Sequence, residues 1–427
     1  MALKALHVTQ VPNLDQLNNN NRSANSFEIS RFDDEFMVIG HRGTGMNLLQ
    51  SPDPRMKFIK ENSILAFNAA GKFNLHFIEF DVQVTKDDCP IIFHDNFIYT
   101  EEKGVLIEKR VTHLNLDEFL SYGPQREPDK VGKPLFRKTK DGRIFEWKVE
   151  KDDHLCTLEE VFQNVNHSMG FNIEFKFDDS IVYKEEELVH VIQVALHVVF
   201  KYAKDRPIIF SSFQPDAALL IKKLQTTYPV FFLTNGGSEI YTDIRRNSLD
   251  EAMKLCLAGG LNGIVSEVRA ILRNPGVIRR IEDSKLSLIS YGQLNKLCLP
   301  FLHTLHKTGD FVDSTTLLFM IEVRAAYIPT PPSKWTYWVG LVYSVVSLHL
   351  YTDPSYRLFS NVREVVYVQL LMGVGGVIVD LVQEITEAVA EFNKTIKEEN
   401  VVKEEEDKCL EYQLSNLMKV IPGLIQP

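Results

Sequence analysis

Glu79 and Asp81 lie two residues apart in the apolar run FIEFDV over 77–82. On a β-strand this spacing puts both carboxylates on one face and Ile78, Phe80 and Val82 on the other. The run FNIEFKF over 171–177 repeats the pattern with Glu174 and Lys176. Strands covered on both sides must satisfy such charges inside the protein, because uncompensated burial costs several kcal/mol per ion. Two solutions are open. One is a set of internal ion pairs, such as Glu174 with Lys176. The other is a hard divalent cation, Mg²⁺ or Ca²⁺, on the three carboxylates, with the lysine against a phosphate oxygen held by the same ion. No His or Cys cluster has zinc spacing.

Two histidines end strand-like runs, His41 in VIGHRG and His94 in IIFHD. Imidazole can take a proton from water near neutral pH and return one to a leaving alkoxide, so a pair covers both tasks; a purely structural role is the alternative for each. Arg42 adds a guanidinium fork suited to phosphate, and Gly43 and Gly45 allow close backbone approach. Glu61 opens Glu61-Asn62-Ser63 ahead of an apolar run, a pattern that also starts helices, so a supporting or capping role is expected for it rather than catalysis.

These residues need a scaffold that brings distant strand ends together. From Phe36 to Asp380 apolar runs alternate with amphipathic stretches: FMVIGH (36–41), FIEFDV, FNIEFKF, PIIFSSF (207–213), PVFFLTN (229–235), GIVSEV (263–268), LSLISYG (286–292) and GVIVDLV (376–382). Eight such units fit a (β/α)8 TIM barrel better than an open doubly wound sheet, and in that fold the strand ends at one mouth carry the chemistry. The second unit departs from the pattern: Thr85 to Pro90 is too short for a helix, so a hairpin-like return is expected. Residues 121–155 read as a surface excursion with a turn at Asp141-Gly142. The barrel domain is expected over 36–390, flanked by an N-terminal extension, 1–35, and a polar C-terminal tail, 391–427.

The chain has 427 residues with 47 Lys and Arg against 57 Asp and Glu, a net charge of −10, which opposes a polyanion partner, so no nucleic acid is expected. Its five cysteines include no CxxC pair and read as free thiols. The first residues lack a secretory h-region and are poor in Arg and Ser for a transit peptide. A cytoplasmic location is expected, with a plastid as the alternative. The uncharged stretch Trp335 to Leu350 is 16 residues long, short of the ~20 that span a bilayer. Membrane contact through 335–350 is the minor alternative to a soluble loop.

The ordered set HRG (41–43), ENS (61–63), ExD (79–81), TKDDCPIIFHD (85–95) and ExK (174–176) resembles the glycerophosphodiester phosphodiesterase family, most closely its soluble plant-type members. The resemblance covers Met37 to Leu294 and Asn361 to Val389. It implies a metal-dependent barrel that hydrolyses deacylated phospholipids, such as glycerophosphocholine, to glycerol 3-phosphate and an alcohol, in lipid and glycerol metabolism and phosphate homeostasis. By motif position, Glu79, Asp81 and Glu174 look like metal ligands, His41 and His94 like the acid/base pair, and Arg42 and Lys176 like phosphate holders. Attack by water, or by the substrate's own 2-hydroxyl through a cyclic intermediate, both fit. The competing functions are a phospholipase-like enzyme on intact lipid and a non-catalytic phosphoester-binding module.

The chain also departs from the family. Ser290 and Tyr291 stand where many members carry a Trp, and the last strand ends VIVDLV rather than in the family's more polar TD form. A segment without clean amphipathic period, Lys296 to Ser360, interrupts the loop after the seventh barrel strand. It reads as translated intron sequence retained in frame, or else as a lid or membrane-contact loop.

Overall fold

The computed structural model describes residues 36–292 and 360–399. All eight apolar runs become parallel strands: β1 (Met37–Gly40), β2 (Phe77–Val84), β8 (Gly170–Phe175), β9 (Ile208–Ser212), β10 (Val230–Thr234), β11 (Gly263–Glu267), β12 (Ser287–Tyr291) and β13 (Gly376–Val379). They follow one another around the sheet, and β1 pairs with both β13 and β2, so the sheet closes into a barrel. Helices stand between successive strands, among them Glu185–Tyr202 and Pro215–Leu224.

Alternation along the strands sorts the side chains. Met37, Ile39, Phe77, Ile209, Phe231 and Val265 fill the barrel interior. Ile78, Phe80 and Val82 pack outward in the layer between strands and helices. Phe77 points inward, so Glu79 and Asp81, two and four residues on, point inward as well, toward the carboxyl end of the strand. The register of β2 on β8 sets Asp81 opposite Glu174.

Several strands are shorter than their apolar runs, and this matters at the mouth. β1 stops at Gly40, leaving His41 just outside with its N–H donating to the Val379 carbonyl at 2.9 Å. β8 ends at Phe175, yet the Lys176 N–H still reaches the Val82 carbonyl at 3.0 Å and keeps the side chain in register. β13 ends at Val379, and a helix begins at Val382, which strands Asp380 at the rim.

The second unit does return as a hairpin: β3 (Pro90–Ile92) runs antiparallel to β2, across a turn in which the Thr85 hydroxyl accepts the Cys89 N–H at 3.0 Å. The region expected to be a surface excursion is more than that. β4 (Phe97–Glu102), β5 (Val105–Arg110), β6 (Phe136–Lys138) and β7 (Ile144–Glu146) form a separate antiparallel sheet in the order β5-β4-β6-β7. Phe119, Tyr122, Leu135 and Trp147 build a core against Ile91 and Phe93. With three residues each, β6 and β7 are too short to show a period of two in the sequence.

By its contacts the chain divides into a barrel unit, Met1–Asn295 with Leu370–Glu387, and a second unit, Lys296–Gln369 with Ala388–Pro427. In the second unit the described residues are helical, and the rings of Tyr367 and Phe392 meet at 4.5 Å. The helix Val382–Glu399 runs on through the first residues of the expected polar tail. The extension 1–35, the stretch 335–350, the rest of the insert up to 359 and residues 400–427 lie outside the described residues. Among the described residues, no helix is long and apolar enough to cross a membrane. Cys89, Cys156 and Cys256 are free thiols.

Arg206 shows how a buried charge holds this frame. Its guanidinium donates to the carbonyls of Val165, Asn166 and Met169 at 2.7–2.9 Å and lies 3.9 Å over the Phe171 ring. It thereby satisfies the chain leaving the helix Leu158–Asn164 as it enters β8. Arg206→Met should lower stability by about 3 kcal/mol, since buried acceptors lose their donors. Urea unfolding measures this, and a loss under about 1 kcal/mol would mean that water replaces the guanidinium.

Candidate active site

The strand ends gather the expected residues at one mouth. Glu79, Asp81 and Glu174 are all buried, and one carboxylate oxygen from each lies within 4.8 Å of the others. Burial, followed by the neighbouring Asp81 and Glu174 charges, pushes the Glu79 carboxyl well above the usual range. Burial likewise raises Glu174. Asp81 is driven the other way: against its burial, His94, Arg42 and Lys176, with the Asn62 amide donating at 2.8 Å, hold it below the ordinary carboxylate range. One Glu79 oxygen accepts the Arg42 N–H at 2.9 Å, while the other is buried without a hydrogen-bond partner. An all-oxygen donor set with a partnerless buried carboxylate oxygen fits a hard divalent cation.

Cations surround this cluster. Lys176 Nζ is 2.8 Å from Glu174 and 3.7 Å from Asp81. Those charges outweigh its desolvation and raise its pKa. The Arg42 guanidinium is 2.7 Å from Glu61 and 3.4 Å from Asp81, so its fork is shared among carboxylates rather than standing open.

Each histidine is backed by an aspartate. His41 Nδ1 is 2.6 Å from Asp380, and its Nε2 is 4.0 Å from Glu79. His94 Nδ1 is 2.7 Å from Asp95. Asp95 lies well below the usual carboxylate range because the adjacent Arg137 and His94 outweigh its burial, so it accepts and the imidazole donates. Burial first, then Arg42 and Lys176, lower the His94 pKa to about 4, which leaves Nε2 with a lone pair at neutral pH.

Backbone conformation builds the loops that carry these groups. Arg42 and Asn62 adopt left-handed φ values of 49° and 53°, and the Asn62 N–H donates to the Arg42 carbonyl at 3.1 Å. Such conformations cost about 1–3 kcal/mol each and concentrate at functional sites. Gly45 has φ 124°, and a Cβ there would sit 2.3 Å from the Asp380 carbonyl oxygen, so only glycine lets the HRG loop pass the end of β13. In Glu61-Asn62-Ser63, the cap of the helix Ile64–Ala70 is Ser63, whose hydroxyl accepts the Ala66 N–H. Glu61 accepts from Arg42 and Arg137 instead.

All eight residues singled out by sequence thus lie around one mouth or directly support it. Sequence reasoning missed Asp380, Asp95, Asn62 and Arg137 as parts of the site. Asp95 follows His94 directly and Asn62 sits inside the quoted motif, so both had a local signal. Asp380 had none beyond a lone acid after VIV.

Buried carboxylates at the carboxyl ends of β2 and β8, with one aspartate-backed histidine after β1 and a second after the hairpin strand β3, give this barrel the mouth of a TIM-barrel enzyme. The comparisons with known proteins carry this further. The chain belongs to the glycerophosphoryl diester phosphodiesterase family, whose model matches residues 41–317. It is 54% identical over 376 residues to the Arabidopsis thaliana glycerophosphodiester phosphodiesterase GDPD3, covering 88% of this chain and 84% of that one. It is 48% identical to Arabidopsis thaliana GDPD1, whose name includes the word chloroplastic, over 433 residues covering 100% of both chains. A crystal structure from Silicibacter pomeroyi DSS-3, provisionally described as a glycerophosphoryl diester phosphodiesterase, shares the fold with a TM-score of 0.53 at 14% identity, covering 86% of this chain and 97% of that one. The chain is accordingly a plant-type glycerophosphodiester phosphodiesterase, a phosphoric diester hydrolase on a TIM barrel.

The Glu61 network carries a pH dependence. Although burial opposes ionisation, Arg137 and Arg42 lower its pKa from 4.5 to about 2. A folded pKa below the unfolded one gives stability that is complete above pH 4.5 and lost as pH falls toward 2. The full effect is about 3 kcal/mol, of which about 2 has gone by pH 3. Urea unfolding of the parent and of Glu61→Gln at pH 6 and pH 3 should show their stability difference narrowing by that amount. An unchanged difference would remove Glu61 from the acid-sensitive groups.

Proposed function

We propose that this enzyme hydrolyses small glycerophosphodiesters, deacylated phospholipids such as glycerophosphocholine, to glycerol 3-phosphate and an alcohol. Glu79, Asp81 and Glu174 would hold one divalent cation, Mg²⁺ or Ca²⁺, and His41 and His94 would move the protons. The observation that carries this reading is the pair of histidines, each held by an aspartate, beside a buried carboxylate cluster with a partnerless oxygen.

When bound, the cation supplies positive charge to the phosphate oxygens as charge develops on them. The chain's own residues do the rest. His94, kept neutral, takes the proton of the attacking oxygen at Nε2, and its Nδ1–H stays on Asp95. His41, held by Asp380, donates to the leaving alkoxide. A phosphorus–oxygen bond forms to the attacking oxygen, and the bond to the head-group oxygen breaks, with one proton removed and one delivered. The attacking oxygen is that of water, or the substrate's 2-hydroxyl, in which case water opens the cyclic phosphodiester in a second step with the roles reversed: His41, now neutral, takes the proton of water, and His94, now protonated, returns one to the 2-oxygen. Lys176 and Arg42 add fixed positive charge beside the phosphate, where pre-organised electrostatics favour the transition state. Similarity along the whole chain to a relative named chloroplastic supports the plastid as a destination alternative to the cytoplasm.

Release of glycerol 3-phosphate from glycerophosphocholine is the test. Glu79→Gln, Asp81→Asn or Glu174→Gln should each lower turnover at least about a hundredfold in a folded barrel, and a chelator should do the same to the parent. Turnover indifferent to chelator would remove the cation from the reaction. His41→Ala and His94→Ala should each cost about 10² to 10⁴ in kcat. Near-parental rates in either variant would return that histidine to a structural role, and faster hydrolysis of intact lipid vesicles than of the deacylated substrate would overturn the substrate class.

A further inference from the structure

Arg137 comes from β6, in the antiparallel sheet outside the barrel, yet its guanidinium is buried beside the barrel mouth. All five of its N–H groups are used. Nε and one Nη donate to the two Asp95 oxygens at 2.8 and 2.9 Å. The two Nη donate to the two Glu61 oxygens at 2.8 and 2.9 Å, and the remaining N–H reaches the Asn47 carbonyl at 3.2 Å. The group lies 4.0 Å over the Trp147 ring, which stops it from turning.

A planar fork that is bidentate to two carboxylates at once is a geometric device that an ammonium cannot reproduce. Stability alone is a weak reason for it, since buried ion pairs often gain little over well-packed apolar groups. Its placement gives a better reason. Asp95 is the acceptor for His94 Nδ1, and Glu61 is the acceptor for Arg42, which follows His41 and gives its backbone N–H to Glu79. One side chain therefore fixes the acceptors behind groups on both arms of the mouth.

We propose that Arg137 is a positioning residue for the phosphodiesterase reaction: it locks the Asp95 carboxylate so that His94 is held with Nδ1–H donating and Nε2 facing the substrate. The antiparallel sheet is thereby part of the catalytic apparatus through a positioning residue. This inference rests on the acid/base role proposed for His94.

The test is a double-mutant cycle in the full chain, with glycerophosphocholine and saturating Mg²⁺ and with folding followed by the urea midpoint. Arg137→Lys should lower kcat by about 10- to 100-fold, the usual cost of losing a group that orients a reacting one, and leave KM within about threefold. Asp95→Asn should lose a similar factor, and the double variant should be no worse than the poorer single one, because both act through His94. If the lysine variant fails to fold, Arg137→Gln with Glu61→Gln, which removes the acid together with its partner, is compared with Glu61→Gln alone and read the same way. Parental kcat in a folded Arg137 variant, losses that multiply in the double variant, or a loss wholly in KM would each overturn the proposal. His94→Ala run in parallel separates the two readings. Retained turnover there overturns the acid/base role itself, whereas a dead His94→Ala beside a parental Arg137→Lys overturns only the role of Arg137.

Discussion

Three carboxylates buried on the inner face of two neighbouring strands are the constraint around which the rest of the mouth is arranged. The register that puts Asp81 opposite Glu174 also puts Glu79 two residues below, so like charges meet in a low-dielectric interior. Protein cations relieve this only in part. Glu61, Glu79, Asp81, Asp95, Glu174 and Asp380 outnumber Arg42, Arg137 and Lys176 around the mouth, and each of these three cations is shared between two acids. Burial first, and then the neighbouring Asp81 and Glu174 charges, push the Glu79 carboxyl up. A site left short of positive charge is suited to a divalent cation, which would in turn supply the positive charge that an anionic ester needs there.

The same strands lay an apolar floor beneath this charged mouth. Along β2 the inward positions run from Phe77 to Glu79 to Asp81, from an apolar floor to a charged mouth within three inward residues. Floor residues from the other strands, such as Ile209 and Val265, are apolar too. Electrostatics inside the mouth are therefore strong, and the positions of Lys176 and the two histidines matter more than they would in water.

Much of this was legible in the residues, for identifiable reasons. Buried parallel strands are apolar on both faces and read as continuous runs, so all eight could be placed. A period of two separated Glu79 and Asp81 from Phe80, and the resemblance of the ordered motifs to a family carried the function. What escaped depends on long-range closure or on very short elements. Asp380 is a lone acid whose partner His41 is 339 residues away. Arg137 sits on a strand of three residues in a segment whose composition suggested only a surface loop. Gly45 was legible as a place of close approach, but its neighbour, the end of β13, was not.

The contact of His41 with Asp380 ties the mouth to the closing of the barrel. His41 leaves β1 and Asp380 leaves β13, and the two are brought together only when β13 pairs with both β12 and β1. The insert at 296–360 lies between β12 and β13 in the chain, so closure must be reached across it. The entropic cost of that detour grows slowly, about 0.6 kcal/mol for each doubling of loop length. Against it stand the β1–β13 ladder, the Asp380 acceptor taking both the His41 ring N–H and the Met46 N–H, and the contact of Gly45 with the Asp380 backbone. Closure and the placing of Asp380 behind His41, one of the two histidines proposed to move protons, are therefore the same event, and a barrel that fails to seat β13 loses the support of His41 even with every other strand in place.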